Sequence, residues 1–202
     1  MKVEERNRFL KVWMSNKEKM KEHISRYLSQ LSRKSRSSKQ KIFFLGISIL
    51  FFGILLPLIL NEIGERIEKV VNIGIPPGLE VAIVITSLTL GAYFILATIY
   101  TQWKVGLGTP ALNAPTKKLI TSGPFKLCRN PLQLSGMLYY LGIGTWVNTI
   151  ITGLFSLVVA LVWGIAYHKG IEEKELQLRF GKEYEEYKKG TPFLIPFKKR
   201  VK

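Results

Sequence analysis

Apolar residues along this chain gather in four long runs, and the stretches between them are polar and mostly basic. The first run, Ile42 to Leu60, holds no ionisable residue and has the length that crosses ~30 Å of hydrocarbon. Pro57 near its end predicts a kink of the kind membrane helices tolerate. The second run, from about Leu79 to Tyr100, follows the breaker Ile75-Pro76-Pro77-Gly78 and closes on Tyr100 and Trp103, aromatic residues typical of a membrane interface. The third, Pro131 to Val147, is shorter and carries Gly136, Gly142 and Gly144; the fourth is Ile150 to Tyr167. Only Asn148-Thr149 separates the last two, which predicts a tight antiparallel hairpin whose glycines permit close backbone approach. The pattern predicts an all-α, polytopic integral membrane bundle of about four transmembrane helices, with a cytoplasmic C-terminal helical segment. It divides into a basic amphipathic arm and linker (1–41), two spans (42–100), and a region holding the hairpin and tail (101–202).

Charge sets the expected orientation. Residues 1–41 hold 13 Lys/Arg against 4 Glu, the 101–130 loop holds 5 and no acid, and the tail from His168 holds 10 against 6 Glu. The opposite side offers Arg66 and Lys69 beside Glu62, Glu65 and Glu68. The positive-inside rule therefore predicts that both termini and the 101–130 loop are cytoplasmic. Met1 to Lys41 is too long and too acidic in places for a cleaved signal peptide, and no small-residue cleavage site follows the first run, so that run reads as a retained span. Within the arm, Met20, Ile24, Tyr27/Leu28 and Leu31 recur at helical spacing among basic residues. That fits an interfacial helix on anionic membrane lipids or a solvated helix without a specific partner. Ser32 to Lys39 reads as a flexible linker.

Composition removes several chemistries. The chain has 202 residues, 47% hydrophobic, with a net charge of +16. Cys128 is the only cysteine, there is no aspartate, and the histidines are His23 and His168. An intrachain disulfide, a Cys-based zinc site, a multi-His metal centre, a Ser-His-Asp triad and an aspartic dyad are therefore unavailable. No metal or nucleic-acid partner is expected. What remains is Glu, Arg, Tyr, backbone groups or a bound cofactor.

Two segments carry candidate chemistry. In Gly123-Pro124-Phe125-Lys126-Leu127-Cys128-Arg129-Asn130-Pro131, Asn130 is a strong N-cap and Pro131 is favoured at the first helical position. A helix N-terminus beside Arg129 binds carboxylate or phosphate; the bland reading is a capped span with Arg129 on lipid phosphate. After the fourth run come Glu172 and Glu173, acids at a helix exit where acid is disfavoured. Adjacent helical residues point about 100° apart, so one of the two is expected to face a site. The bland reading there is a solvated helix with Leu176, Phe180, Tyr184 and Tyr187 as its apolar stripe. The hairpin brings both candidates to one face. A ligand with a carboxylate at one end and an amine or hydroxyls elsewhere matches, S-adenosylmethionine among other zwitterions.

These residues resemble the isoprenylcysteine carboxyl methyltransferase family and its phospholipid methyltransferase relatives. The family's Arg-His/Asn-Pro-x-Tyr-x-Gly element looks like Arg129-Asn130-Pro131, its Glu-Glu pair like Glu172-Glu173, and its Phe-Gly-x-x-Tyr-x-x-Tyr segment like Phe180 to Tyr187. A proline-containing tail follows, here Thr191-Pro192 through Pro196. The resemblance covers roughly Lys117 to the C-terminus. It implies methyl transfer from S-adenosylmethionine to a lipid-like or prenylated acceptor at the membrane surface. It also implies a cofactor site made of Leu119, Ile120, Phe125, Arg129, Asn130, Pro131, Gln133, Gly136, Glu172 and Glu173 within the 101–202 region. Gln133 stands where the family usually has Tyr, and Ser135 where it has Gly. The fourth run lacks the arginine near its end that suits a substrate carboxylate in eukaryotic carboxyl methyltransferases; His168 and Lys169 are the nearest basic residues, and His168 is the candidate for substrate binding. No catalytic base is assigned, because transfer from a sulfonium needs one only if the acceptor holds a proton. Two other readings stay open: an NADPH-dependent membrane reductase related to sterol reductases, and a non-enzymatic lipid-binding membrane protein.

Overall fold

The structure, a computed structural model, describes residues 3–33, 36–71, 73–111 and 114–195. There is no strand among the described residues. The helices are α1 Val3–Arg33, α2 Ser38–Ser48, α3 Leu56–Glu68, α4 Pro77–Lys104, α5 Pro131–Val147, α6 Ile150–Tyr167, α7 Glu173–Phe180 and α8 Lys182–Gly190. Two π-helical stretches join neighbours without a break, Ile49–Leu55 between α2 and α3 and His168–Glu172 between α6 and α7. Among the described residues three continuous helices are long and apolar enough to cross a membrane: Ser38–Glu68, Pro77–Lys104 and Ile150–Phe180. The fourth apolar run, α5, has 17 residues and rises about 26 Å, a little short of the ~30 Å hydrocarbon core.

The packing is inverted relative to a protein dissolved in water. Ser87, Thr98, Ser135, Thr145, Thr152 and Ser156 are buried between helices, whereas Ile85, Leu96, Val158, Val162 and Trp163 are exposed. Small residues inside and large apolar ones outside suit a bundle solvated by lipid. α5 lies between α4 and α6, and α3 packs on α6. The hairpin is tight: a Cβ on Gly144 would come within 2.9 Å of Gly153 Cα. At the turn, Glu80 of α4 accepts from the Ile150 N–H at 3.1 Å, and Asn148 Nδ2 donates to Asn61 O at 3.1 Å. A carboxylate at a helix N-terminus is favourably placed.

Pro57 has no N–H to give to the carbonyl one turn back. The expected disruption takes the form of π-helix over Ile49–Leu55, just before the proline. The freed carbonyls find partners on α5: Tyr139 Oη donates to Gly53 O and Tyr140 Oη to Phe52 O, each at 2.7 Å. Tyr140 is also part of the small apolar core with Leu60 and Ala160.

The arm docks on the chain itself. Ser25 is fully buried and its Oγ donates to Ile171 O at 3.0 Å, while Lys174 Nζ meets Glu18 at 2.5 Å. The apolar stripe of the arm therefore divides. Leu31 is buried and Ile24 and Leu28 are half-buried, but Met20 and Tyr27 point outward. Of the linker expected over 32–39, residues 34 and 35 lie outside the described residues, and Ser37 forms a capping box with Gln40 at the start of α2. Pro196 and the basic residues Lys198 to Lys202 also lie outside them.

Candidate functional site

The start of α5, the exit of α6 and the C-terminal end of α4 share one end of the bundle and enclose a cleft. The loop after α4 folds back to reach it: Gly108 N donates to Gln102 O at 3.0 Å and Lys117 N to Gly106 O at 2.6 Å. Arg179 then holds this loop by donating to Thr116 O while pairing with the buried Glu175 at 2.9 Å. The loop thus supplies Leu119, Ile120 and Phe125 to the wall. Tyr187 Oη donates to Phe125 O at 2.6 Å, fixing α8 across the opening. Gly181, at φ +53° and ψ −123°, makes the turn from α7 to α8, a conformation that is open to glycine and strained for other residues.

Arg129 and Glu173 meet across the cleft at 2.7 Å, with side chains only 10% and 13% exposed. Lys188 also contacts Glu173, and Tyr184 Oη lies 3.4 Å from Arg129 Nη1. Removing one partner of so buried a pair typically costs about 3–5 kcal/mol, because the other charge is stranded. Two buried polar atoms here have no partner among the described residues, Arg129 Nε and Gln102 Oε1. Atoms so placed can pair with water or with a bound molecule.

Both Glu172 and Glu173 line the cleft, where a regular α-helix is expected to present one. The π-helical exit His168–Glu172 fits more residues into each turn, so neighbours diverge less; such turns concentrate at functional sites. The two acids have separate partners. Glu173 takes Arg129, and Glu172 takes His168 Nδ1.

Of the residues singled out in the sequence, Leu119, Ile120, Phe125, Arg129, Asn130, Glu172 and Glu173 line the cleft. Pro131, Gln133 and Gly136 do not form its wall. Pro131 is buried, Gln133 Nε2 donates to Ala160 O at 2.7 Å against Gly164, and Gly136 has open space where a Cβ would lie. The Asn130 side chain does not cap α5; its amide donates to Phe193 O at 2.9 Å, and Arg129 N donates to Pro192 O at 2.9 Å. The tail therefore lies across the start of α5. His168 stands one turn behind Glu172, edge-on to Phe193 at 6.5 Å.

Gln102, Thr116, Lys118, Leu176, Phe180, Tyr184 and Tyr187 complete the wall. The last four form the apolar stripe visible in the sequence, and nothing in that spacing distinguishes a cleft from a core. Gln102 is the amide near the end of a long apolar run, its one available signal. Burial pushes the Tyr184 phenol up to about 12 and raises Tyr187 as well. Cys128 is fully buried, and burial raises its thiol too, so it stays a neutral packing residue. Among the described residues no three His, Cys or acidic side chains gather into a metal site.

Residues 80–183 match the family model described as phospholipid methyltransferase. That stretch runs from the first turn of α4 into α8, and covers half of the chain. The chain belongs to the phospholipid methyltransferase family. Among individual relatives, the protein-S-isoprenylcysteine O-methyltransferase of Mus musculus is 37% identical over 89 residues, 43% of this chain and 30% of the relative. The cobalt-zinc-cadmium resistance protein CzcN of Cupriavidus metallidurans is 34% identical over 79 residues, 39% of this chain and 35% of its own. The chain thus matches about a third of the length of these relatives. The phospholipid methyltransferase match takes in the cleft except for Tyr184 and Tyr187.

Proposed function

We propose that this chain is an S-adenosylmethionine-dependent methyltransferase acting on a lipid-like acceptor at the cytoplasmic face of a membrane. One observation carries the reading: Arg129 from the start of α5 and Glu173 from the exit of α6 face each other at 2.7 Å in a shared cleft. A zwitterionic amino-acid group fits that pair by exchange. Its carboxylate replaces Glu173 on Arg129, its ammonium replaces Arg129 on Glu173, and each buried charge keeps a counter-ion. Arg129 Nε and Gln102 Oε1 gain partners at the same time. Phe125 and Phe180 line the cleft with aromatic rings against which a purine can pack, Leu119 and Ile120 supply apolar wall, and Glu172 an acceptor for ribose hydroxyls. Of Pro131, Gln133 and Gly136, assigned to the cofactor by resemblance, Gln133 acts through the seating of α5 against α6, where its amide donates to Ala160 O.

When bound, the cofactor supplies an electrophilic methyl group on a sulfonium. The chain's own part is to align donor and acceptor and keep water out, which favours an in-line displacement that neutralises charge. The basic regions gather at this end of the bundle, where Lys41 Nζ donates to Leu107 O at 2.8 Å; by the positive-inside rule that end is cytoplasmic. Arg6, Arg8, Lys11 and Lys17 of α1, beside the exposed Phe9, Trp13 and Met14, suit anionic lipid headgroups.

Titration calorimetry on the detergent-purified protein tests the reading. S-adenosylhomocysteine should bind in the micromolar range, and Arg129→Ala should weaken it at least about tenfold, since a charge-assisted hydrogen-bonded pair is worth about 1.5–3 kcal/mol. A folded protein that ignores this ligand sinks the proposal, and stabilisation by NADPH in its place makes the chain a reductase.

A further inference from the structure

One half-buried ionisable pair includes a member, His168, that has no task in cofactor binding. His168 Nδ1 is hydrogen-bonded to Glu172 Oε2 across the π-helical exit, and the His168 side chain is 16% exposed. Its ring is held edge-on to Tyr167 and Phe193, with centroids 5.2 and 6.5 Å away. Nε2 has no hydrogen-bond partner among the described residues. A carboxylate on Nδ1 selects the tautomer with its proton on that nitrogen and leaves the lone pair on Nε2, the arrangement that prepares an imidazole as a base. A His–Glu pair one turn apart is more often a solvated surface contact. Here the ring is shielded, both of its orientations are constrained, and its carboxylate partner lines the cleft. His168 is also the first residue beyond α6, between the apolar span and the cleft.

We infer that His168, oriented by Glu172, is the base that removes a proton from a protonated amine acceptor. The inference rests on the methyltransferase reading. The acceptor ammonium gives its proton to Nε2, which frees the nitrogen lone pair. The nitrogen–carbon bond to the methyl group then forms as the carbon–sulfur bond breaks, and that electron pair stays on sulfur. The product is a methylated ammonium, and the imidazolium returns its proton to water. The surrounding charges agree with this order. Glu172 and Glu173 favour both an incoming cation and the imidazolium that follows. The cations nearby are otherwise engaged: Lys169 lies over the Phe193 ring at 5.0 Å, Arg129 lies over the same ring at 5.7 Å, and Lys21 of α1 rests against Gly170.

His23→Gln on the exposed arm leaves His168 as the one imidazole, since the chain has two histidines. Nitrogen NMR of that variant in detergent, on the alkaline side of the imidazole's titration, should show a protonated Nδ1 and a bare Nε2, and Glu172→Gln should abolish the preference. Activity is read on vesicles containing phosphatidylethanolamine as the amine probe and on N-acetyl-S-farnesylcysteine as the carboxylate probe. His168→Gln should lower kcat on the amine probe by about 100-fold or more and flatten its rise with pH. S-adenosylhomocysteine affinity should stay within about threefold. An unchanged kcat, a mixed tautomer, cofactor binding lost together with activity, methylation of the carboxylate probe alone, or methylation of neither probe each overturns the role of His168. Failure of the unaltered protein to bind S-adenosylhomocysteine overturns the methyltransferase reading itself.

Discussion

Tyr139 and Tyr140 reach from α5 to the two carbonyls left open before Pro57. Lipid offers no water to replace those hydroxyls, so Tyr140→Phe should lower stability by about 1–2 kcal/mol, read from unfolding midpoints in mixed detergent. Pro57→Ala returns an N–H to the helix, so Tyr139→Phe should cost little in that background. Fully additive losses would show that the proline and the phenol are unrelated. The phenols on the cleft make a second case. Burial raises Tyr184 to about 12 and Tyr187 upward from its ordinary value, while unfolded tyrosines ionise near pH ~10. A raised folded value means their contribution is whole below pH ~10 and is lost as pH climbs through about 12. Absorbance at about 295 nm, the phenolate band, should show these two ionising only as the protein unfolds in alkali; early titration of Tyr184 would contradict its burial. Arg129 and Glu173 were legible in the sequence because charge at a span's edge is conspicuous. The tyrosine hydroxyls were not, because spacing marks a side chain as apolar without saying what its polar tip meets.

At the level of helices, breakers governed what could be read. α5 and α6 occupy Pro131–Val147 and Ile150–Tyr167, the expected boundaries, because Asn130-Pro131 and Asn148-Thr149 interrupt the apolar pattern at both ends. The first and last spans run past their apolar runs, to Glu68 and Phe180. Hydropathy counts residues that belong in oil, whereas a helix continues into water wherever its backbone stays paired. No residue type announces the π-helical exit that turns both acids toward one cleft. Gly181 tests how far α8 shapes that cleft. Gly181→Ala forces a side chain into a conformation at φ +53° and ψ −123° and should cost about 1–3 kcal/mol. It should also weaken S-adenosylhomocysteine binding, since Tyr184 follows three residues later. Gly190→Ala, with nothing near its added methyl group, is the control and should leave the midpoint within about 0.5 kcal/mol. Equal behaviour of the two variants would mean the α7–α8 turn does not shape the wall.

Across the whole molecule, the charge distribution predicts that the basic segments lie on one side of the membrane. In the structure Lys41 of α2 contacts the loop after α4 at Leu107, and that loop shares the cleft with Arg129 and Glu172. The docking of α1 was less legible, because an amphipathic helix carries the same pattern whether it lies on lipid or on protein. Hydrogen bonds from Lys174 and Lys21 hold Glu18 down at about 2. Its folded value is depressed, so this contact is intact above pH ~4.5 and fades as pH falls toward about 2. Deleting residues 3–33 should leave the span bundle folded and S-adenosylhomocysteine binding detectable, with affinity reduced through the unbraced Ile171–Glu173 turn. Complete loss of binding in a folded variant would make the arm part of the site. Glu172 follows Tyr167, the last residue of the apolar run, by five positions, a rise below about 8 Å even at the α-helical spacing. On the proposed function, chemistry so near the edge of the oil takes a lipid-like acceptor from a two-dimensional pool. Turnover should therefore track the acceptor's share of the lipid sheet, and spreading the same number of acceptor molecules among inert neighbours should slow it at constant bulk concentration.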